Sequence, residues 1–295
     1  MDDDASLTGQ VSRAERFRAL HHSPDVLLLP NVWDVVSARL YEEEGFAALG
    51  TTSAGIAATL GHPDGQRITV DDTALVVEHI VHRVAIPVSA DIEAGYGLSP
   101  EAVAEAAHRV LDAGAVGINL EDRPSGRGIE HDVALLDVDV VEERIRAIRA
   151  MAEGAGVPLV VNARTDVCLL GSAAGADRLA EAVRRGNRYL AAGADCVFVP
   201  DMGDLTRAGI AELVSGLDGP LNLIAGAGTP PVPELQAMGV ARLSFGPRPM
   251  RAALRLLQDM AREWTREGTY QRMLSSAISY EEVNAWFEAD GSGLA

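Results

Sequence analysis

The chain contains no lysine, and all 25 of its strongly basic residues are arginine. A Schiff-base aldolase needs a lysine amine as its nucleophile. The Walker A phosphate-binding loop likewise needs a lysine at a fixed position. The absence of lysine therefore excludes both classes of protein.

Cysteines, aromatic residues and long apolar runs are also scarce. Two cysteines, Cys168 and Cys196, cannot build a disulfide framework or a CxxC metal site, so we expect buried free thiols. With 4% aromatic residues, the core is expected to be aliphatic. No apolar run reaches the roughly 18 residues that span a membrane. The acidic start, residues 1–4, lacks the features of a signal peptide, so we expect a cytoplasmic protein.

The net charge of −18 limits the partners that the protein can bind. Nucleic acid phosphates and anionic membrane surfaces would be repelled by such a charge. We therefore expect neither a nucleic acid nor a membrane as a partner, and look for a small-molecule ligand.

A repeating pattern predicts the fold. Eight short, continuous apolar runs alternate with amphipathic stretches, as expected for parallel strands that are buried on both faces. The runs are 26–29, 47–50, 87–90, 117–120, 159–162, 196–199, 221–224 and 241–244. Three of the helical stretches end at a glycine (Gly114, Gly193 and Gly239), which suits a left-handed cap. The pattern favours an α/β fold in the form of a closed (β/α)₈ TIM barrel. No GxGxxG motif follows a strand, which disfavours a dinucleotide-binding fold.

Additional helices are predicted at both ends. One covers residues 12–20, and two more cover 250–266 and 280–287, with Trp264 and Trp286 as apolar anchors. No linker or low-complexity segment interrupts the chain. We therefore predict a single domain over residues 1–295, with the barrel at about 25–250 and a C-terminal helical extension at about 250–290.

Acidic residues follow two neighbouring strands, at the barrel end that carries active sites in this fold. Asp91 and Glu93 are two residues apart and can face one space, and Glu121 follows the next strand. Two carboxylates at about 4 Å repel by about 4 kcal/mol at an effective dielectric near 20. All-oxygen ligands favour Mg²⁺ or Mn²⁺. The pattern indicates a divalent metal site; the alternative is pairing with arginines such as Arg123, Arg127 and Arg164.

Groups that can bind an anion follow two other strands. Arg164 can grip a substrate carboxylate through two hydrogen bonds, or it can serve in a structural ion pair. Thr52 and Ser53, with Gly55, can offer hydroxyl and backbone N–H groups to the same anion, or can form a plain turn.

Two glycine-containing loops are candidates for gates over the site, at residues 61–65 and 123–131. The alternative is that both are ordinary surface loops. Glu130 and His131 in the second loop are candidates for the acid or base of the reaction.

Several pieces of the sequence together resemble the isocitrate lyase / phosphoenolpyruvate mutase superfamily. They occur in family order, with family-like spacing, over about residues 25–250. The pieces are Asn31-Val32-Trp33-Asp34 with Ser37-Ala38-Arg39, Gly61-His62-Pro63-Asp64, Asp91-Ile92-Glu93-Ala94-Gly95-Tyr96-Gly97, Leu120-Glu121-Asp122 and Ala163-Arg164-Thr165-Asp166.

The resemblance implies a (β/α)₈ barrel with Mg²⁺ at Asp91, Glu93 and Glu121. It also implies that Asp64 is an acid on the first gating loop and that Trp33 lines the pocket. Arg164 and the Thr52–Ser53 segment match the groups that hold the α-keto-acid end of the substrate. Family members often exchange a C-terminal helix and form dimers of dimers, so we expect a homo-oligomer, a dimer or a tetramer.

The chain departs from the family in its second gating loop. Lyases that cleave carbon–carbon bonds carry a cysteine there, where this chain has Ile129. The phosphonate enzymes carry lysine and asparagine or threonine, which are also missing. The preferred function is a Mg²⁺-dependent lyase that cleaves a C–C bond of a small α-keto or α-hydroxy carboxylate through an enolate. Asp64, Glu130, His131 or water would move the protons.

Two alternatives stay open. The first is a C–P mutase or hydrolase acting on a phosphonopyruvate-like substrate, in which Arg127 meets the phosphonyl group. The second is a barrel that binds a carboxylate without turning it over.

Overall fold

The computed structural model describes residues 2–126, 134–169, 177–201 and 205–288. Its strands form one entirely parallel sheet in the order β1-β9-β8-β7-β6-β5-β4-β3-β2. The strands are β1 Leu27–Leu29, β2 Asn31–Val32, β3 Leu49–Thr51, β4 Val88–Asp91, β5 Gly117–Glu121, β6 Val160–Arg164, β7 Cys196–Phe198, β8 Leu221–Ile224 and β9 Arg242–Ser244.

The first stave of the barrel is split by Pro30, which has no N–H to donate. On one side of Pro30, β1 pairs with β9, and on the other side β2 pairs with β3. The two ends of the ladder are therefore joined through one residue, and the sheet closes. The predicted (β/α)₈ barrel is confirmed, with eight staves built from nine short strands.

Helices surround the barrel and extend it at both ends. They are α1 Asp2–Leu20, α2 Val35–Glu43, α3 Ser53–Thr59, α4 Val70–Val81, α5 Pro100–Asp112, α6 Val138–Ala155, a 3₁₀ helix Asp166–Leu169, α7 Asp177–Ala191, α8 Arg207–Gly216, α9 Val232–Ala237, α10 Arg248–Arg266, α11 Gln271–Ser276 and α12 Tyr280–Glu288. Within the described ranges, none has the length and apolar character needed to span a membrane.

Local sequence signals explain where these helices begin and end. Ser99 caps α5 by accepting the N–H of Ala102, and Pro100 occupies the first turn, where a missing N–H costs nothing. Gly114 follows α5 with a φ of 92°, a left-handed conformation that a side chain would oppose. The same conformation at Gly193 and Gly239 confirms the predicted helix ends.

The core is aliphatic, as expected. The apolar residues of α5, among them Val103, Val110 and Leu111, are buried, and α5 packs against α6. Each fully buried valine, leucine or isoleucine side chain contributes roughly 1.5–3 kcal/mol. Both cysteines are buried and form no disulfide within the described part of the chain, and burial raises the pKa of Cys196 to about 12.

The interior of the barrel is polar instead. Buried amide and hydroxyl side chains project from five of the staves: Ser89, Asn119, Asn162, Asn222 and Ser244. Asn162 Nδ2 donates to Asn119 Oδ1 at 2.7 Å, and Ser244 Oγ donates to Asn222 Oδ1 at 3.1 Å. This network lies directly below the strand ends that carry the candidate site.

Helix α1 covers the opposite end of the barrel. The Phe17 ring lies so close to Gly117 that a Cβ there would be 2.6 Å from Phe17 Cε1, which explains the glycine. The Arg242 guanidinium is fully buried above the same ring, 5.9 Å from its centroid. Arg242 NH1 faces His21 Nε2 at 3.4 Å, and His21 Nδ1 contacts Phe17 O at 2.8 Å. A neutral histidine satisfies both contacts by donating from Nδ1 and accepting at Nε2.

The C-terminal helices are only partly anchored. Trp286 is buried, as predicted for an apolar anchor. Arg39 Nε also donates a hydrogen bond to the Trp286 carbonyl oxygen at 2.7 Å. The anchor role predicted for Trp264 is wrong within the single chain, because 47% of its surface is exposed. The prediction that residues 1–295 form one domain stays a prediction.

We predict that His21 makes stability depend on pH. Burial, followed by the charge of Arg242, lowers its pKa from 6.5 to about 3, so the folded state keeps His21 neutral. Its contribution is complete above pH 6.5 and is lost as the pH falls from 6.5 toward 3, by up to about 1.4 kcal/mol per pH unit. Urea unfolding of wild type and His21→Leu at several pH values measures this difference. The exposed neighbour variant His22→Gln is the control, and equal pH slopes in all three proteins would contradict the prediction.

Candidate active site

The register of the strands brings the predicted acids to one end of the barrel. Asp91 ends β4 beside Asn119, and Glu121 ends β5 beside Arg164. Glu121 N donates to Glu93 O at 2.9 Å, so Glu93 and Glu121 share one level. Glu93 lies beyond β4 and has a φ of 50°. The prediction that Glu93 faces the site because it lies two residues after Asp91 on a strand is therefore wrong in its reason. A left-handed turn beyond β4 gives Glu93 its position.

Three hydrogen bonds hold Asp91 in place. Its Oδ2 accepts the N–H of Ser53 at 3.2 Å, and its Oδ1 accepts the N–H of Glu93 at 3.3 Å. The N–H of Asp91 in turn donates to the Thr51 hydroxyl at 2.9 Å. These bonds join the ends of β3 and β4 and fix the Asp91 carboxylate at the mouth of the barrel.

Glu93 is held by Gln66, a residue in the loop that follows α3. The N–H of Gln66 donates to both carboxylate oxygens of Glu93, at 2.9 and 3.1 Å. In the amide orientation that satisfies both of its ends, the Gln66 side-chain oxygen accepts the N–H groups of Ala94, Gly95 and Tyr96.

Backbone strain is concentrated at this clamp. Gln66, Glu93 and Tyr96 are the non-glycine residues with positive φ in the described part of the chain, at 51°, 50° and 54°. Such conformations cost of order 1–3 kcal/mol each and persist only where surrounding contacts impose them. The hydrogen bonds around Gln66 are those contacts.

Arg164 lies at the centre of the acids. Its guanidinium donates two hydrogen bonds to Asp166, at 2.6 and 2.9 Å, and NH1 lies 2.9 Å from Glu121 Oε2. The pairing that was the alternative to metal binding is therefore present for Glu121. Asp122, which is fully buried, accepts the N–H of Asp166 at 2.9 Å and so positions this pair.

The site holds more negative charge than Arg164 neutralises. Five carboxylates lie around it: Asp64, Asp91, Glu93, Glu121 and Asp166. Burial, followed by the charges of Asp91 and Asp64, raises the pKa of Glu93 to about 8. Burial also raises the pKa of Glu121, which Arg164 opposes, and the pKa of Asp64, beside Asp91.

Two adjoining cavities open at this end of the barrel. The smaller, of about 170 Å³, is lined by Glu93, Glu121 and Asp166, and the larger, of about 270 Å³, is lined by Asp91 and Asn119. Ser53, Asp64 and Arg164 line both cavities. A small acid bound where the two cavities adjoin would therefore contact Ser53, Asp64 and Arg164.

The donor set fits a hard divalent cation. Carboxylates that raise one another's pKa are stabilised by a cation, and all-oxygen sites suit Mg²⁺ or Mn²⁺. In the ranges that the structure covers, no three Asp, Glu, His or Cys side chains form a ready group for a metal. Mg²⁺ commonly keeps several waters and uses one or two carboxylates, so a complete protein cage is not required. The metal site at Asp91, Glu93 and Glu121 stays a prediction.

The predicted anion-binding segment is the start of a helix. Thr52 is the N-cap of α3, Ser53 is its first residue, and the interpretation of this segment as a plain turn is wrong. Gly55 packs so closely that a Cβ would lie 2.6 Å from Thr52 and 2.8 Å from Trp33. Trp33 thus lies behind the helix, and the described residues that line the two cavities do not include it. Its role in substrate binding stays a prediction.

The remaining candidates belong to the two loops. Asp64 lies at the mouth of both cavities, in the first loop. Arg123 lines the smaller cavity at the start of the second loop. Arg127, Glu130 and His131 lie outside the described residues, and so does Ile129.

Sequence reasoning missed several residues of the site. Gln66 has no signal, because its role depends on a left-handed backbone and on a contact with a distant loop. Asn119 lies inside an apolar run, and Arg248 and Arg251 belong to α10 but line the larger cavity. Among these missed residues, only Asp166 could have been found from the sequence, because it lies two residues after Arg164 in the same motif.

Comparisons with known proteins agree with this geometry. The family described as phosphoenolpyruvate phosphomutase matches residues 17–265. The 2-methylisocitrate lyase of Aeropyrum pernix is 30% identical over 273 residues, which cover 90% of this chain and 84% of that protein. The oxaloacetate decarboxylase of Paraburkholderia xenovorans is 29% identical over 300 residues, covering 95% and 94%. A solved structure from Burkholderia cenocepacia has a TM-score of 0.86 and 36% identity, and the match covers 96% of this chain and 98% of that one.

We predict that Gln66→Ala loosens the loop that carries Glu93. The substitution leaves the N–H groups of Ala94 and Tyr96 without this acceptor, while the N–H of Gly95 keeps its bond to Ile92 O at 2.8 Å. Losing a buried acceptor costs about 1–3 kcal/mol, so amide exchange there should accelerate about tenfold or more. Hydrogen–deuterium exchange measures the change, with Gln236→Ala at the opposite end of the barrel as the control. Unchanged exchange at residues 94–96 would contradict the prediction.

Proposed function

The chain belongs to the phosphoenolpyruvate phosphomutase family, and from this membership we propose that it is a carbon–carbon lyase dependent on Mg²⁺ or Mn²⁺. The predicted membership of the isocitrate lyase / phosphoenolpyruvate mutase superfamily is thereby confirmed. The prediction of an enzyme of the lyase/mutase type that acts on small carboxylates is confirmed as well. The observation that carries the finer proposal is the excess of carboxylates around Arg164 at the barrel mouth.

The substrate is a small α-keto or α-hydroxy carboxylate. Its carboxylate would bind Arg164, whose planar guanidinium is fixed in place by Asp166 and Glu121. Ser53 lines both cavities, and with Thr52 at the start of α3 it would hold the same end of the substrate. Binding at Arg164 aligns the α-oxygen toward the acidic residues of the neighbouring strands.

Asp91, Glu93 and Glu121 are the residues that would hold the metal. When bound, a divalent ion stabilises negative charge that develops on a substrate oxygen. The residues of the chain itself supply orientation: Asp91 is fixed by backbone N–H groups, and Glu93 is fixed by Gln66.

Bond cleavage next to an α-oxo acid leaves an electron pair on the carbon beside the carbonyl, as an enolate. In decarboxylation, CO₂ leaves and the bond's electron pair stays on the carbon beside the keto group. In retro-aldol cleavage of an α-hydroxy acid, the hydroxyl group loses its proton and becomes the keto group, and the electron pair stays on the carbon of the other fragment, beside that fragment's carboxylate. The names of two relatives, a 2-methylisocitrate lyase and an oxaloacetate decarboxylase, support this class of reaction. Asp64, with its raised pKa at the cavity mouth, is the described acid best suited to exchange a proton. Glu130 and His131 remain candidates for this role.

C–P chemistry is the second candidate, and the family's description supports it. The residue proposed for the phosphonyl group, Arg127, lies outside the described ranges. Assays with phosphonopyruvate, followed by phosphorus NMR, separate this reaction from C–C cleavage.

We also propose a homo-oligomer formed through α10. Leu254, Leu257 and Trp264 follow a helical spacing along α10, and each is 47–58% exposed in the single chain. Such a row of large apolar residues is typical of a surface that a second subunit covers. Exchange of C-terminal helices between subunits would bury it.

We predict that Asp91→Asn abolishes metal-dependent turnover. The substitution keeps the shape of the side chain but removes its charge, so Mg²⁺ affinity and turnover should fall by at least about 100-fold. Pyruvate release from oxaloacetate and 2-methylisocitrate, with Mg²⁺ or EDTA, measures the loss. Asp218→Asn, at the opposite end of the barrel, is the control. A variant that keeps full Mg²⁺-dependent activity would refute the assigned site.

We predict that Leu257→Glu lowers the mass of the particle in solution. A charge placed in a covered apolar face is destabilising, so wild type should be a dimer or tetramer and the variant smaller. Light scattering after size exclusion measures both masses. Leu98→Glu, at a leucine that is 88% exposed elsewhere on the chain, should leave the mass unchanged. A monomeric wild type would overturn this proposal.

A further inference from the structure

Two arginines of α10 line the larger cavity, which Arg164 also lines. Arg248 and Arg251 lie in the first turn of α10, three residues apart, and therefore on one side of the helix. Both are exposed, and neither forms an ion pair or a side-chain hydrogen bond with any residue that the structure describes. By contrast, Arg255, one turn further along α10, is paired with Asp259 at 2.8 Å.

The surroundings keep these arginines at the cavity. Pro247 precedes α10 and Pro249 lies in its first turn, so the helix start is fixed directly after β9. The Arg248 guanidinium lies over Gly226, where a Cβ would be 3.0 Å from NH2. The absence of a side chain at Gly226 leaves the space that this guanidinium occupies.

The cavity joins these two arginines to Arg164. Its lining includes Asn119 and Ser244 from the barrel interior, and Phe198 and Ile224 from neighbouring strands. Asn119 Oδ1 already accepts from Asn162 Nδ2 at 2.7 Å and faces Arg242 NH2 at 3.4 Å. Its Nδ2 donates to no residue in the described ranges, so this N–H group is available to a ligand.

The size of the cavity exceeds what a short acid needs. A dry cavity of about 150 Å³ holds a ring of six carbons, whereas this cavity measures about 270 Å³. A two- or three-carbon acid at Arg164 would leave the part beside Arg248 and Arg251 unfilled. In a chain with a net charge of −18, two free guanidinium groups provide local attraction for an anion.

We propose that Arg248 and Arg251 form a second anion subsite, which binds a carboxylate at the far end of the substrate. The inference rests on the proposed function, in which Arg164 binds the near carboxylate. Guanidinium groups suit this role because each can donate two parallel hydrogen bonds to one carboxylate. Asp201 also lines this wall, and its carboxylate accepts the N–H of Leu205 at 3.0 Å. The subsite selects acids that carry a second carboxylate over those that lack one.

Lactate and malate test the proposal, because malate differs from lactate only by a carboxylate in place of a methyl hydrogen. Calorimetry with Mg²⁺ present should show that wild type binds malate at least about tenfold more tightly than lactate. The double variant Arg248→Gln/Arg251→Gln should lose this preference and keep its affinity for lactate. Arg255→Gln on the same helix is the matched control and should behave as wild type.

The possible outcomes separate this inference from the function on which it rests. Arg164→Ala should weaken the binding of both acids, whereas the double variant should weaken that of malate alone. Equal affinities of wild type for the two acids, or an equal loss of both in the double variant, would overturn the second subsite and leave the proposed function standing. If wild type binds neither acid, both fail. Thermal unfolding of each variant checks that the fold is intact.

Discussion

Repulsion among buried carboxylates is the constraint on which the rest of this site depends. Asp91, Glu93 and Glu121 lie at the ends of two adjacent staves, and burial, followed by the charges of Asp91 and Asp64, raises the pKa of Glu93 to about 8. Arg164 offsets part of this charge by pairing with Glu121 and Asp166. The remainder is the physical basis for expecting a divalent cation at this end of the barrel.

Holding such a group together requires a scaffold that cannot relax. The clamp at Gln66 imposes a left-handed backbone on Glu93, and Asp122 anchors the segment that carries Asp166. Below them, Asn119 and Asn162 link neighbouring staves through a hydrogen bond inside the barrel. The strain at the mouth is therefore supported by hydrogen bonds that join neighbouring staves, as expected for a preorganised site.

The larger cavity is lined by both acidic and basic side chains. The acidic side chains lie around Arg164, and Arg248 and Arg251 lie along the wall of the larger cavity that also reaches Arg164. An acid with a carboxylate at each end matches this distribution, with its reacting carbon between the two. Family membership indicates the general class of reaction. Arg248 and Arg251 are suited to determining which substrates bind, because they can select acids with a second carboxylate.

The sequence by itself determined the barrel, because continuous apolar runs separated by amphipathic helices are compatible with few other folds. It also predicted that Asp91, Glu93, Glu121 and Arg164 lie at one end of the barrel, because residues directly after parallel strands share that end. Tertiary structure alone decided which partners these residues have. Gln66 reaches Glu93 through a left-handed loop, and Arg248 reaches the cavity from a helix predicted only as an extension. Neither contact follows from local spacing, because each depends on how segments far apart in the chain pack together.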